Sequence, residues 1–327
     1  MRVLSGIQSS GKLHLGNYLG AMKQHIELQH THECFFFIAN YHSMTTVQDA
    51  ERLRGLTLDV ALDYVAFGLD PAKACLFRQS DIPEVTELAW ILSTVTGKGL
   101  LDRATSYKDK VSKGITPTLG LYTYPVLMAA DILIYHSDSV PVGKDQVQHI
   151  EMAQDMAVHF NQTYQCDVLK RPEPKLNDAM IVPGVDGQKM SKSYGNTINL
   201  FDPPEATRKR VMGIKTDSTP LEAPKNPDTC NVFALYKLMA TSEETEALRR
   251  RYVGGGMGYG EAKTKLADVV SRMLGPARER RLQLEKEPDF VEDVLATSAR
   301  KARGIARGVM ESVRAACGIV AGKDTHR

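Results

Sequence analysis

CFFFIAN, residues 34–40, carries no charge, and this run limits the possible fold more than any other stretch of the chain. A continuous apolar segment of that length is what a parallel strand covered by helices on both faces shows. Comparable segments flank it: Arg2 to Ile7 reads as a strand meeting a glycine at Gly6, and ACLFRQS (74–80) as another buried strand. Helical patterns lie between them. Residues 49–68 place Leu53, Leu56, Val60 and Tyr64 on one face and stop at Gly68, and 83–95 reads as a further helix. Strands alternating with helices predict an α/β fold with a doubly wound, Rossmann-like parallel sheet.

The alternation fades near residue 175, where DAMIVPGVDGQKMSKSYGN reads as a short strand and a glycine- and serine-rich loop. From about Glu205 the pattern is helical, broken by TDSTPLEAPKNPD (216–228) and by VGGGMGYG (253–260), which reads as a flexible joint. Two long charged helices, roughly 261–286 and 288–317, follow. The expected organisation is a catalytic domain over 1–183 and a smaller helical domain with its leading loop over 184–287. A last helical segment, 288–327, is expected to pack back on the first domain.

Composition narrows the function. A chain of 327 residues, 43% hydrophobic and 24% charged, buries a sizeable core with no disulfide or metal to staple it. The five cysteines, Cys34, Cys75, Cys166, Cys230 and Cys317, are scattered with no C-x-x-C pair. That argues against a zinc or iron–sulfur site and for a reducing cytosol. No charged-then-apolar leader opens the chain and no apolar run approaches a membrane span, so a cytoplasmic location without membrane contact is expected. A net charge of +2 does not announce a nucleic acid, so any such partner would meet local basic patches.

Three stretches carry chemistry. In SGKLHLGNY (10–18), Gly11 and Gly16 permit close backbone approach after the first strand, and the following helix offers its positive end to an anion. His14 and Asn17 are one helical turn apart and can face one phosphate, although a generic strand–turn–helix junction fits the same letters. KMSKS (189–193), between Gly187 and Gly195, sets Lys189 and Lys192 three apart on a hydroxyl-rich loop. Two such cations would stabilise charge growing on a leaving pyrophosphate; a solvated basic loop is the plainer alternative. YPVLMAADIL (124–133) is an apolar helix interrupted by Asp131, a carboxylate that needs a partner inside the protein or from outside.

HLGN together with KMSKS resembles the two signatures of class I aminoacyl-tRNA synthetases, with Asn17 at the fourth position as in the tyrosine/tryptophan subclass. SGIQSSGKLHLGNYLGA, YPVLMAADIL, VPVGKDQVQHIE and IKTDS (214–218) are similar to the bacterial tryptophan branch, over essentially the whole chain. The resemblance implies a ligase that joins L-tryptophan and ATP into tryptophanyl-adenylate and then charges tRNA(Trp). His14, Asn17, Lys189 and Lys192 would be catalytic. ATP would be met by Gln8, Ser9, Ser10, Gly16, Asn17, Lys110, Gly143, Lys144, Asp145, Ile181 and the KMSKS loop, Lys189, Met190, Ser191, Lys192 and Ser193. Asp131 would accept the indole N–H, with Met128, Tyr124, His42, Gln146, Val140, Val142 and Leu4 around the ring. Mg²⁺ would ride on the ATP phosphates, with no metal held by the protein and no DNA partner.

The same resemblance implies a homodimer, for which the apolar helices 84–95 and 121–135 are compatible surfaces, and RNA contacts in the helical region. The basic runs RRRY (249–252), ARERR (277–281) and RKARGIARG (300–308) would supply them. The sequence departs from the common pattern in places. Leu4 stands where phenylalanine is frequent, Ser9 replaces a proline, and Lys144 replaces a glutamate. A tyrosine-specific enzyme is disfavoured by Met128, which stands where a polar side chain would be wanted. A small nucleotidyltransferase lacks a KMSKS loop, and a regulatory RNA-binding relative would have broken signatures.

Overall fold

The computed structural model describes residues 1–112, 114–143, 146–176 and 181–319. Strands β1 (Arg2–Ile7), β2 (Glu33–Ile38), β3 (Ala74–Arg78), β4 (Ser139–Val142) and β5 (Glu173–Leu176) form one sheet, every pair parallel, in the order β3-β2-β1-β4-β5. The run that suggested a doubly covered strand is β2, buried from Cys34 to Ile38. Its side chains alternate between two cores. Phe36 and Ile38 join Val60 and Tyr64 of the helix Ala50–Ala66, while Phe35 and Phe37 join the opposite core. That second core includes Leu88 of the helix Glu84–Val95, Ala129 of Leu119–Leu133 and Ala306 of Pro288–Cys317.

Strand order reverses between β1 and β4, the place where open α/β sheets hold their ligands. β1 is matched to β2 from Arg2–Glu33 to Ile7–Ile38, and to β4 at Val3–Ser139. Beyond that pair the two strands stand on opposite walls of a cavity at their carboxyl ends.

The helical half packs on this sheet rather than hanging from it. One apolar cluster runs from Val3 and Phe36 to Phe233 and Leu266. The helix Pro288–Cys317 lies on β3 and on Glu84–Val95, where Arg303 and Arg307 meet Glu84 at 2.8 and 3.3 Å and Arg314 meets Glu87 at 2.5 Å. Arg281, of the helix Tyr259–Leu284, reaches Asp59 at 2.5 Å and also Asp63 on the helix Ala50–Ala66.

Carboxylates of this same chain meet several arginines of the basic runs, although Arg251, Arg303 and Arg307 keep 54, 38 and 60% of their side chains exposed. In the first run Arg249 is paired with Asp228 and Arg251 with Glu261, while exposed Arg250 has no partner among the described residues. The glycine-rich joint is also more fixed than its composition suggests. Gly255 lies so close to a neighbouring turn that a Cβ there would sit 2.5 Å from the Glu222 carbonyl, and Met257 is buried. The short strand expected within 178–196 falls partly on 177–180, outside the described residues; β5 precedes it.

Candidate active site

Two clusters follow β1. The first is a cavity of about 420 Å³ between β1 and β4, with Leu4, Gly6, Phe37, Met128, Val140 and Val142 as its apolar walls. Gln8, His42, Tyr124, Gly143 and Gln146 also line it. Gly6 matters here because a Cβ would fall 2.4 Å from the Phe37 ring. Its absence lets that ring lie across the strand beside Leu4, so an aromatic wall is present although Leu4 itself is aliphatic.

Behind this cavity stands Asp131, 1% exposed, on the helix Leu119–Leu133 one turn after Met128. His42 Nε2 meets its Oδ2 at 2.8 Å, and Gln79 Nε2 donates to Oδ1 and Oδ2 at 2.8 and 2.9 Å. Gln79 cannot turn round, because its Oε1 accepts from the backbone N–H of Tyr41 at 3.0 Å and of His42 at 3.4 Å. Burial raises the Asp131 pKa, and the bonds from His42 and Gln79 pull against that rise. The partner demanded by this carboxylate is therefore internal in the first instance, and it is not a lysine. A carboxylate has about four acceptor positions. The three contacts leave one position on Oδ1. On the same wall the Tyr124 hydroxyl and His149 Nε2 lie 2.8 Å apart, which fixes the tyrosine ring.

The second cluster joins the two signature stretches. Residues 13–15 pair with 198–200 as a short antiparallel bridge: Leu15 N bonds Ile198 O at 2.9 Å and Leu200 N bonds Leu13 O at 3.1 Å. That pairing carries the KMSKS loop onto HLGN, and Lys192 Nζ donates to Gly11 O at 2.7 Å. His14 is 5% exposed, and its Nδ1 is buried without a hydrogen-bond partner. A Cβ on Gly16 would lie 2.9 Å from that nitrogen and 3.4 Å from Met190 Cβ, so only a glycine leaves the ring its place. Burial, with the Lys192 charge nearby, lowers the His14 pKa to about 4. Without a ligand His14 is thus a neutral imidazole near pH 7. Burial likewise lowers Lys192 to about 8, opposed by the Asp63 carboxylate. Asn17 Oδ1 accepts from the His14 backbone at 3.1 Å, leaving its NH₂ as the group available to a ligand.

The remaining expected residues divide. Ser9 is fully buried, its hydroxyl 3.1 Å from Ser43 Oγ and 3.3 Å from Thr57 Oγ1, so any contact it makes with nucleotide would run through its backbone. Ser10 is half-buried at the turn into Gly11. Ser191 is half-buried with its hydroxyl 2.8 Å from that of exposed Ser193, and Lys189 and Ile181 are exposed. Lys144, Asp145 and the Lys110 side chain lie outside the described residues.

Comparison with known proteins agrees with this arrangement. The family described as tRNA synthetases class I (W and Y) matches residues 1–275. The chain belongs to that family. Curated relatives named tryptophan–tRNA ligase include one from Fusobacterium nucleatum, 53% identical over 98% of both chains. Another, from Rhodopirellula baltica, is 50% identical over 98% of this chain and 100% of the relative. Among solved structures, the tryptophanyl-tRNA synthetase of Campylobacter jejuni complexed with ADP and tryptophan superposes with a TM-score of 0.92 at 45% identity. That match covers 97% of this chain and 100% of the other.

Within this synthetase two residues escaped the sequence reading. Gln79 holds Asp131, and Asn196 stitches the KMSKS loop. Asn196 is 2% exposed; its Oδ1 takes the Ser191 N–H at 2.8 Å and its Nδ2 donates to Lys189 O and Asp186 Oδ1 at 3.1 and 2.8 Å. Neither has a signal of its own in the sequence, since one glutamine after a strand and one asparagine after a glycine are ordinary loop letters.

Proposed function

We infer that this synthetase is a tryptophan–tRNA ligase that activates L-tryptophan with ATP and then esterifies tRNA(Trp). What carries the reading is the pairing of two features after β1: an apolar slot backed by the buried Asp131 cluster, with Gln8 in its lining, and the HLGN and KMSKS loops bridged to each other. Tryptophan fits the slot on chemical grounds: a flat apolar ring with one N–H to give to Asp131 Oδ1. In the first step a tryptophan carboxylate oxygen attacks the α-phosphorus of ATP, and the bond to the bridging oxygen of pyrophosphate breaks. Both reactants are held in place, so proximity and charge stabilisation carry the rate. His14 would give a hydrogen bond from its otherwise unpartnered ring, Asn17 its amide NH₂, and Lys192 its ammonium. Lys189, exposed at the loop tip, would reach the departing pyrophosphate. In the second step a terminal ribose hydroxyl of the tRNA attacks the activated carbonyl and AMP leaves.

Among the described residues no group of three His, Cys, Asp or Glu is placed to hold a metal ion. Mg²⁺ would bind through ATP oxygens, as magnesium commonly does with nucleotides, where it neutralises phosphate charge. No helix among the described residues is long and apolar enough to cross a membrane; a cytoplasmic location is our reading from the role in translation.

ATP–pyrophosphate exchange with tryptophan, tyrosine and phenylalanine side by side tests the reading. Exchange selective for tryptophan is expected. Selectivity for tyrosine would overturn the substrate, and silence with all three would overturn the activity.

We also propose a homodimer. Trp90 is 72% exposed on the helix Glu84–Val95, and Leu119, opening the neighbouring helix Leu119–Leu133, is 76% exposed. Large apolar groups at the centre of an interface are the ones that hold it. Trp90→Glu should halve the mass seen by light scattering at micromolar concentration; an unchanged mass would move the interface elsewhere.

A further inference from the structure

The turn leading into the KMSKS loop is gripped from two sides. It is closed on itself: Gly184 N bonds Gln188 O at 2.7 Å and Gly187 N bonds Gly184 O at 3.0 Å. Gly187 has φ +88°, a left-handed conformation that glycine adopts freely. Residues 184–188 thus form one closed turn. On the loop side, Val185 N bonds Asn196 O at 3.0 Å, and Asp186 Oδ1 receives Asn196 Nδ2 at 2.8 Å. Asn196 in turn holds the backbone at Lys189 and Ser191, next to Lys192.

On the other side the grip comes from the helical half. Lys215 N, in the IKTDS stretch, donates to Val185 O at 2.8 Å. The Asn231 amide lies directly on Gly187, where a Cβ would come 2.4 Å from Nδ2 and 2.9 Å from both Cγ and Oδ1. Asn231 has a firm base. It is the first residue of the helix Asn231–Tyr236, whose Val232, Phe233, Leu235 and Tyr236 are buried and which packs on Tyr259–Leu284. Its Nδ2 also reaches Lys215 O at 3.4 Å, joining the two contacts into one surface.

We propose that Asn231 is a positioning residue for the KMSKS loop: its amide, seated on Gly187, sets where Lys189 and Lys192 stand relative to the nucleotide. It touches neither the tryptophan cavity nor HLGN, so it acts through the turn and not on substrate. The inference rests on the synthetase reading above.

Exchange kinetics on Asn231→Ala, Gly187→Ala and the double variant test it, with melting temperatures measured alongside. Asn231→Ala should lower kcat for tryptophan-dependent exchange by roughly 10- to 100-fold, the penalty expected when a reacting group is displaced by about an ångström. The KM for tryptophan should stay within about twofold, because other elements build that cavity. Gly187→Ala, which pushes the same contact apart, should give a similar loss. The double variant should lose less than the product of the two, since both act on one contact. If Asn231→Ala lowers only the melting temperature, or if the two losses multiply, the proposal is wrong. Failure of the unmodified chain to exchange would overturn the synthetase reading instead.

Discussion

Asp131→Ala should lower kcat/KM for tryptophan in ATP–pyrophosphate exchange by roughly 10- to 100-fold, the loss of one hydrogen bond to a charged group worth about 1.5–3 kcal/mol. The acceptor left on Oδ1 is then gone, and the indole N–H enters an apolar slot unpaired. Discrimination against phenylalanine, which has no ring donor, should collapse together with the tryptophan rate. A second consequence is structural. His42 and Gln79 lose the carboxylate they bind at 2.8 Å, and each buried unsatisfied donor costs about 1–3 kcal/mol. The melting temperature should fall as well.

Because the two effects overlap, Gln79→Leu separates them. It removes one internal donor, leaves His42 on Oδ2 and keeps the carboxylate, so stability should drop while preference for tryptophan over phenylalanine survives. If Gln79→Leu and Asp131→Ala changed that preference equally, Asp131 would be a packing group only. The side-by-side exchange rates decide it.

Periodicity was enough for the layers of this fold. β2 shows why: a buried parallel strand can be written with five apolar residues in a row, and few other elements can. Strand order was not available that way, because nothing local to β4 says that it lies beside β1. The contact between 13–15 and 198–200 was likewise invisible to spacing, with more than 180 residues between the segments; the family resemblance suggested it, not the pattern. The internal pairing of the basic runs was hidden for a physical reason. Composition counts arginines, whereas free surface depends on the distant carboxylates that claim them, Glu84 for Arg303 and Asp63 for Arg281. The burial of the Ser9 hydroxyl was not legible either, since its partners Ser43 and Thr57 stand on helices elsewhere in the chain.

Lys192 is where electrostatics should separate activity from stability. Lys192→Met should cut kcat for exchange by roughly 10²–10³-fold, as loss of one preorganised charge-stabilising group does. The KM for tryptophan should hold, because the amino-acid cavity has no part in that loop. In the unmodified enzyme the ammonium is lost as pH rises through about 8, so kcat/KM for ATP should decline above that pH. Bound phosphates favour the charged form, and the decline in kcat should therefore lie at higher pH than that in kcat/KM. Stability runs the other way. The unfolded chain keeps the Lys192 proton to about pH 10, so between about 8 and 10 it binds more protons than the folded chain, and the Lys192 contribution to stability rises with pH. Below that window the buried ammonium is a cost, partly offset by its bond to Gly11 O at 2.7 Å. The melting temperature of Lys192→Met at pH 7 should accordingly be no lower than that of the unmodified chain, and higher if the side chain packs, while its activity is nearly gone. A variant that lost both together would place Lys192 among the residues that hold the two loops in contact, and leave the charge on the departing pyrophosphate to Lys189.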